Sequence, residues 1–476
     1  MIRSKQPLRR RVIAASTRFL VTLAVAVMAV ATNGCDRFDS SNAPAKILLV
    51  SIDTTRADRL SAYGYRRPTT PFLQRLAKRG VRVDNAFAVM PTTDPSHTSI
   101  LTGQYPRTHG IMRNAARRSD ADAPSLGTFL QERGYRTAAI TARIGLDPEP
   151  RLIAGFDESD APHLPKKWRT ADEVLHLATK WLAEREGRWF LWVHLWEPHL
   201  PYDPKQPFRD RFIKRPTRDY TLYTELERFL EPDTPLKESA ILRARSLYDG
   251  EIAVSDRAVQ RLVNAAYKAE PKGAPLVMIV SDHGESLAER RTTRQIGFGH
   301  GVLLYNETVR VPWVTVWDDH VKPSVLETPV SLVDLAPTVM DLVEPGRAYE
   351  TEGRSIAEAF LGPGEPEPRT FYLERRLFSS KFRDDLQYPE TAVVDYPWKF
   401  IENEGIGLRE LYHLVRDPLE QVNLFEAEPE SARRLTGMLK EWRAQHPLPP
   451  QKGPKTRLAE QEARERAELR SLGYID

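Results

Sequence analysis

Acids and imidazoles stand at the ends of apolar, strand-like runs in this chain. Asp53 closes AKILLVSID, and Asp282 and His283 follow the apolar run of PLVMIVSDHGE. His194 and His199 lie in and just beyond WFLWVHLWEPHLPY, and His300 sits in the glycine-rich GFGHG. Two carboxylates with a histidine suit a hard or borderline divalent cation. A lone strand-end aspartate is usually a cap or turn residue. An Asp–His pair directly after VMIVS is harder to explain by packing, because charged groups rarely cap an apolar strand for that purpose. A second concentration of reactive groups is TTDPSHTSILTG, Thr92 to Gly103, where hydroxyls crowd ahead of an apolar run. Locally it reads either as a helix cap or as the source of an attacking hydroxyl. No cysteine stands among these hydroxyls.

The elements that must position these groups alternate along the chain. Short buried strands are expected at 45–53, 82–90, 135–142, 189–196, 275–285 and 311–317. Helices are expected at 70–80, 96–102, 125–134, 170–186, 240–269 and 331–343. In the first of these helices Thr70 suits the cap, Pro71 the N1 position and Gly80 the C′ position. The alternation predicts an α/β domain over 45–368, with a mostly parallel central sheet between layers of helices. In such sheets ligands bind beyond the carboxyl ends of the strands, where the acids and imidazoles lie. From 369 to 476 the texture changes. RTFYLER, TAVVDYPWKFIE and LRELYHLV alternate like antiparallel strands, and helical patterns follow at 428–445 and 455–471. This predicts a smaller C-terminal α+β subdomain. No internal repeat is present.

With 476 residues, 41% hydrophobic and 28% charged, the composition fits a globular protein with room for a large core. The net charge of +4 comes partly from a basic N-terminus, and no basic stripe with interleaved aromatics exists, so nucleic acid is excluded as the expected partner. Residues 1–35 read as an export signal: Arg3 to Arg11 is basic, Phe19 to Ala31 is apolar, and TNGC supplies small residues. The apolar run is shorter than the ~20 residues a membrane span needs. Cys35 is the only cysteine, so no intramolecular disulfide can form. It stands where a bacterial lipoprotein carries its lipid, although Thr32 departs from the usual leucine. Lipidation of Cys35, with 36–44 as a tether, is the expected arrangement; plain secretion and an uncleaved anchor are the alternatives. The expected location is the cell envelope, on the periplasmic side of a membrane.

The stretches LLVSIDTTRAD, YGYRRPTTPFLQRLAKRGV, PTTDPSHTSILTGQYPRTHGI, VHLWEPHLPY, VSDHGE, GHGVLLYNETVRVPW and LYHLVRDPLEQVNL, in this order, resemble the sulfatase family of the alkaline phosphatase superfamily. The resemblance runs from about Ala45 to Asp476. It implies a mostly parallel sheet between helices, a small C-terminal sheet, and a metal site at the strand ends. Residue by residue, it implies that Asp53, Asp282 and His283 are metal ligands and that His199 lies near the leaving group. It implies that His300 contacts the transferred group or a second metal. Thr93 falls where sulfatases carry the cysteine or serine of C/S-x-P-S-R, which makes it the nucleophile and a further metal ligand. The implied cofactor is calcium, magnesium, manganese or zinc, as one ion or two.

Three departures from the family pattern bear on the chemistry. Thr93 cannot become formylglycine, His97 replaces the motif arginine, and Thr54 follows Asp53 where a second metal aspartate is usual. A lysine–histidine segment is also missing, and TARIGLDPEP stands in that region. These changes resemble the phosphoryl-transfer branches of the superfamily. A threonine hydroxyl needs a base or a metal to attack, and the start of a helix favours the anion it would attack. The expected function is hydrolysis or transfer of a phosphate- or sulfate-type ester through Thr93, phosphorus favoured. Its substrate would be an anionic envelope lipid, glycan or small organic ester. A strict sulfatase without formylglycine and a non-catalytic, anion-binding surface protein are the alternatives. Around this set, His194 is read as either core or ligand. His97 and His109 are read as structural, Arg56 with Asp58 as a local ion pair, and Arg113 and Asn114 are given no role.

Overall fold

The computed structural model describes residues 43–114, 125–143, 155–162, 168–213, 237–269, 273–290, 297–375 and 384–449. The export segment with Cys35, most of the tether and the helix expected at 455–471 lie outside the described residues.

Nine strands form the central sheet: β1 (Lys46–Ile52), β2 (Val81–Phe87), β3 (Arg136–Ile140), β4 (Glu158–Asp160), β5 (Trp189–Leu195), β6 (Leu276–Ser281), β9 (Arg310–Val316), β10 (Ser324–Leu326) and β11 (Val330–Ser331). Two short strands, β7 (Ser286–Leu287) and β8 (Phe298–Gly299), pair separately as a hairpin. The order is β10-β2-β9-β6-β1-β5-β3-β4, with β11 beside β2. Only β9 runs against the others, pairing antiparallel with β2 and β6. The sheet is therefore mostly parallel, as the alternation of elements requires.

Period-two alternation buries both faces. Leu48, Val50 and Ile52 of β1 point into one apolar cluster with the helices Ala171–Ala183 and Glu238–Lys268. Ile47 and Leu49 point into another with the helices Leu126–Gln131 and Leu335–Val343. The helix Pro71–Ala77 starts at proline as expected, but Thr70 makes no side-chain cap. Its first-turn N–H groups instead go to Asp256 of the long helix, from Phe72 at 2.9 Å and Leu73 at 2.8 Å. Gly80 is not a left-handed C′ residue either. It lets two backbones touch, since a Cβ there would stand 2.1 Å from the Thr315 carbonyl oxygen.

The C-terminal sheet has four antiparallel strands rather than three: β12 (Phe371–Glu374), β13 (Thr391–Asp395), β14 (Trp398–Asn403) and β15 (Leu408–His413). TAVVDYPWKFIE folds back on itself, because Asp395 pairs with Trp398 across Tyr396–Pro397. Proline there cannot donate to a ladder, so it breaks the run into a hairpin. The helix Pro429–Gln445 packs on this sheet through Leu435, Leu439 and Trp442.

Candidate active site

Register brings the strand-end acids together. Ile52 of β1 lies beside Ser281 of β6 in the parallel ladder, so Asp53 and Asp282 leave the sheet at one level on neighbouring strands. On the other side of β1, Ser51 pairs with His194 of β5. Asp53, His194, Asp282 and His283 are all fully buried. Asp53, Asp282 and His283 bring ligand atoms within 4.8 Å of one another.

The tautomer of His283 follows from its partners. Its Nδ1–H donates to the Gly284 carbonyl at 3.0 Å, which leaves a lone pair on Nε2. That nitrogen lies 3.3 Å from Asp282 Oδ2 and 3.8 Å from Asp53 Oδ1. Neither of these oxygens has a hydrogen-bond partner. Burial, and then the nearby His300, hold the His283 imidazole well below its usual pKa, so it brings no proton to the cluster. Burial and the Asp53 charge push the Asp282 carboxyl well up. Three buried lone-pair donors converging on one point fit a divalent cation. Asp53 Oδ2 accepts the Nε2–H of His194 at 3.2 Å, and His194 Nδ1 accepts the Ala142 N–H at 3.4 Å. His194 thus orients Asp53 in the manner of an outer-shell partner.

The hydroxyl-rich stretch becomes a helix that begins three residues earlier than expected, Thr93–Thr102, and every residue in it is buried. Thr92 occupies the cap position, yet its hydroxyl caps nothing and has no partner. The hydroxyls of Thr98 and Thr102 are spent on carbonyls four residues back, at 2.8 and 2.7 Å. Thr93 differs: its Oγ1 faces His283 Nε2 at 3.4 Å, beside the converging acids. Ser96 Oγ ties the same turn to the Asp282 carbonyl at 2.6 Å.

His97 Nδ1 stands 3.6 Å from Asp282 Oδ2, but its hydrogen bonds go elsewhere. Its Nδ1–H donates to the Thr93 carbonyl at 2.8 Å, and its Nε2 accepts from Ser51 Oγ at 2.9 Å, whose oxygen in turn accepts the Trp192 indole N–H at 3.0 Å. Both ring nitrogens are occupied, so His97 braces the helix turn against β1. His109 is braced similarly, against Ser99 Oγ at 3.0 Å and the Ile111 N–H at 3.1 Å. Arg56 pairs with Asp58 at 2.7 Å and with Glu289 at 2.5 Å. Thr54, in the left-handed region at φ 50°, turns its N–H to Asp282 Oδ1 at 3.1 Å.

His199 and His300 close the site from the far side. Their rings lie 5.0 Å apart, and His300 stands 4.3 Å from the His283 ring. His199 stacks on Trp196 at 3.9 Å and donates its Nδ1–H to the Leu200 carbonyl at 2.6 Å. Burial pushes its pKa down to about 3, although Asp53 pulls the other way.

The sequence reading passed over several residues. Glu285, fully buried two positions after His283, lies 3.4 Å from His300 Nδ1, and burial and Asp53 push its carboxyl well up. Asp94, next to Thr93, forms a buried ion pair with Arg143 and takes Asn114 Oδ1 on its N–H at 2.9 Å. Arg143 lies in the TARIGLDPEP segment, where the family pattern carries a lysine–histidine segment. A basic residue one step beyond an apolar strand was the only available signal.

Comparison with known proteins agrees with this architecture. Residues 45–345 match the sulfatase family. Choline-sulfatase of Rhizobium meliloti is 24% identical over 428 residues, covering 75% of this chain and 77% of that protein. Arylsulfatase of Clostridium perfringens is 21% identical over 455 residues, covering 81% and 91%. The crystal structure of the phosphonate monoester hydrolase of Agrobacterium radiobacter superposes with a TM-score of 0.69 at 20% identity, covering 85% of this chain and 96% of that one.

Proposed function

Because the chain belongs to the sulfatase family, we propose that it is a metal-dependent ester hydrolase that works through Thr93, with a phosphorus ester favoured as substrate. The observation that carries this reading is the position of Thr93 Oγ1, 3.4 Å from His283 Nε2. It lies in the first turn of a buried helix, beside two carboxylate oxygens with no hydrogen-bond partners. A divalent cation held by Asp53, Asp282 and His283, with Thr93 beside it, would lower the pKa of the hydroxyl and offset the charge of the transferred group.

The chain's own groups would do the rest. Thr93 gives up its hydroxyl proton to solvent, and its Oγ1 then bonds to the central atom of the ester as the bond to the leaving oxygen breaks. The helix N-terminus favours the anion next to Thr93, and His300 lies in reach of the transferred group. His199 has its Nδ1–H engaged with Leu200, so Nε2 is the nitrogen that would give a proton to the leaving oxygen. An arriving anion would supply the negative charge needed to protonate it. Water or an acceptor alcohol then releases the group from Thr93.

The preference for phosphorus is supported by an unmodified threonine in place of cysteine or serine. The sulfatases among its relatives favour a second reading, hydrolysis of a sulfuric ester by the same residues. We assign the substrate to anionic envelope lipids, glycans or small organic esters, and the protein to the cell envelope through a lipid on Cys35. Parallel assays on aryl sulfate, phosphate monoester, phosphodiester and phosphonate test the reading. Phosphorus esters are expected to turn over fastest, chelation to abolish turnover, and Thr93→Ala to lower it by about 10³ or more. Faster sulfate turnover would select the second reading, and an unaffected Thr93→Ala would remove both.

A further inference from the structure

Lys399, on β14 of the C-terminal sheet, and Glu420, in the loop after β15, are wholly buried and 2.8 Å apart. A buried ion pair is sustained only where further hydrogen bonds complete it, and here those bonds reach out of the subdomain. Glu420 Oε2 accepts the Asn306 N–H at 2.6 Å. The Glu420 carbonyl accepts from Arg290 at 2.8 Å, and Arg290 grips the Glu307 carboxylate at 2.7 and 3.2 Å. Glu420 does this at φ 53°, in the left-handed region that glutamate rarely occupies.

The grip on 306–307 ends on one peptide group. The Glu307 carbonyl accepts the Glu285 N–H at 2.9 Å. The other end of that peptide, the Gly284 carbonyl, accepts the His283 Nδ1–H at 3.0 Å. Only glycine allows this approach, since a Cβ at 284 would stand 2.2 Å from the Glu307 oxygen. A planar peptide cannot turn one end without the other, so holding Glu307 holds the acceptor that fixes the His283 tautomer and aims Nε2 at Asp53 and Asp282.

We propose that Glu420 is a positioning residue for His283, so that the C-terminal subdomain sets the aim of a candidate metal ligand through 306–307 and the Gly284–Glu285 peptide. The metal part of this inference rests on the reading under Proposed function; the tautomer part does not.

Glu420→Asp tests it in the full chain. Aspartate keeps the charge beside Lys399, tolerates the left-handed backbone, and withdraws the carboxylate by one methylene. The expected result is a thermal midpoint close to that of the parent and a Mn²⁺ affinity, read by electron paramagnetic resonance, weaker by about tenfold or more. In the metal-free protein the ¹⁵N signals of His283 should move from the Nδ1–H tautomer towards a mixture. Glu420→Gln combined with Lys399→Met restores a neutral acceptor for Asn306 without leaving a buried charge unpaired, and should recover both readouts. Parent-like affinity and parent-like His283 signals in Glu420→Asp overturn the proposal, as does failure of the double variant to recover either. A parent protein that takes up no Mn²⁺, but whose His283 signals respond to Glu420→Asp, supports the positioning role and removes the metal-dependent reading.

Discussion

Thr93 and His97 stand one helical turn apart and have opposite situations. His97 has both ring nitrogens engaged, while Thr93 presents its hydroxyl to the acid cluster. The difference lies in the partners each meets on a shared face: His97 meets Ser51 of β1 and Thr93 meets His283 after β6. The histidines also make the site sensitive to acid. Burial pushes His194 and His199 each down to about 3, against ~6.5 in an unfolded chain. Between those values the unfolded chain binds protons that the folded chain refuses. The contribution of these two histidines is therefore intact above about pH 6.5 and is lost as pH drops towards 3, by up to ~1.4 kcal/mol per pH unit for each histidine. Urea unfolding of chelator-treated protein between pH 4 and 7 should show this slope, and His194→Gln should flatten it. An unchanged slope in that variant would locate the acid sensitivity elsewhere.

At the level of elements, parallel register does the work that sequence spacing cannot. Asp53 and Asp282 are far apart in the chain, but β1 and β6 are neighbours with Ile52 level with Ser281. Helix ends are settled by distant partners too. The helix Pro71–Ala77 has a plausible local cap in Thr70, but the acceptor its N–H groups use is Asp256. Removing that acceptor with Asp256→Ala leaves two buried N–H groups unpaired and should cost about 2 kcal/mol, measured by urea denaturation. Thr70→Ala should not cost as much through capping, because the Thr70 side chain caps nothing in this helix.

Across the whole molecule, the small sheet shares its core with the large one. Val89, Tyr105 and Val333 pack in one cluster with Val393, Phe400, Leu411 and Trp442. Glu374 of β12 forms a buried pair with Arg107 at 2.9 Å and donates its N–H to the Val89 carbonyl at 2.9 Å. The C-terminal segment is thus built into the wall of the catalytic layer, which is what lets Glu420 reach the His283 loop. At the other end of the chain, among the described residues no helix is long and apolar enough to cross a membrane. The membrane attachment proposed above is through Cys35. Cys35→Ala should move the protein from the membrane fraction to the soluble fraction and abolish labelling by a palmitate analogue. Retention in the membrane fraction would point to an uncleaved anchor.

The sequence by itself determined the layered α/β architecture, because apolar runs of strand length alternating with amphipathic helices can bury their faces in few other ways. It also marked Asp53, Asp282 and His283, since reactive side chains after apolar strands have little to gain from packing there, and the resemblance to the sulfatase family added Thr93, His199 and His300 to them. Only the tertiary structure decided which groups share the work and which brace it. His194 turned out to orient Asp53, His97 to lock a helix turn, and Asp94, Arg143, Glu285 and Glu420 to take buried partners that their own sequence neighbours do not indicate. A hydrogen-bond partner is chosen by distance in space, and sequence periodicity reports only which face of an element is apolar.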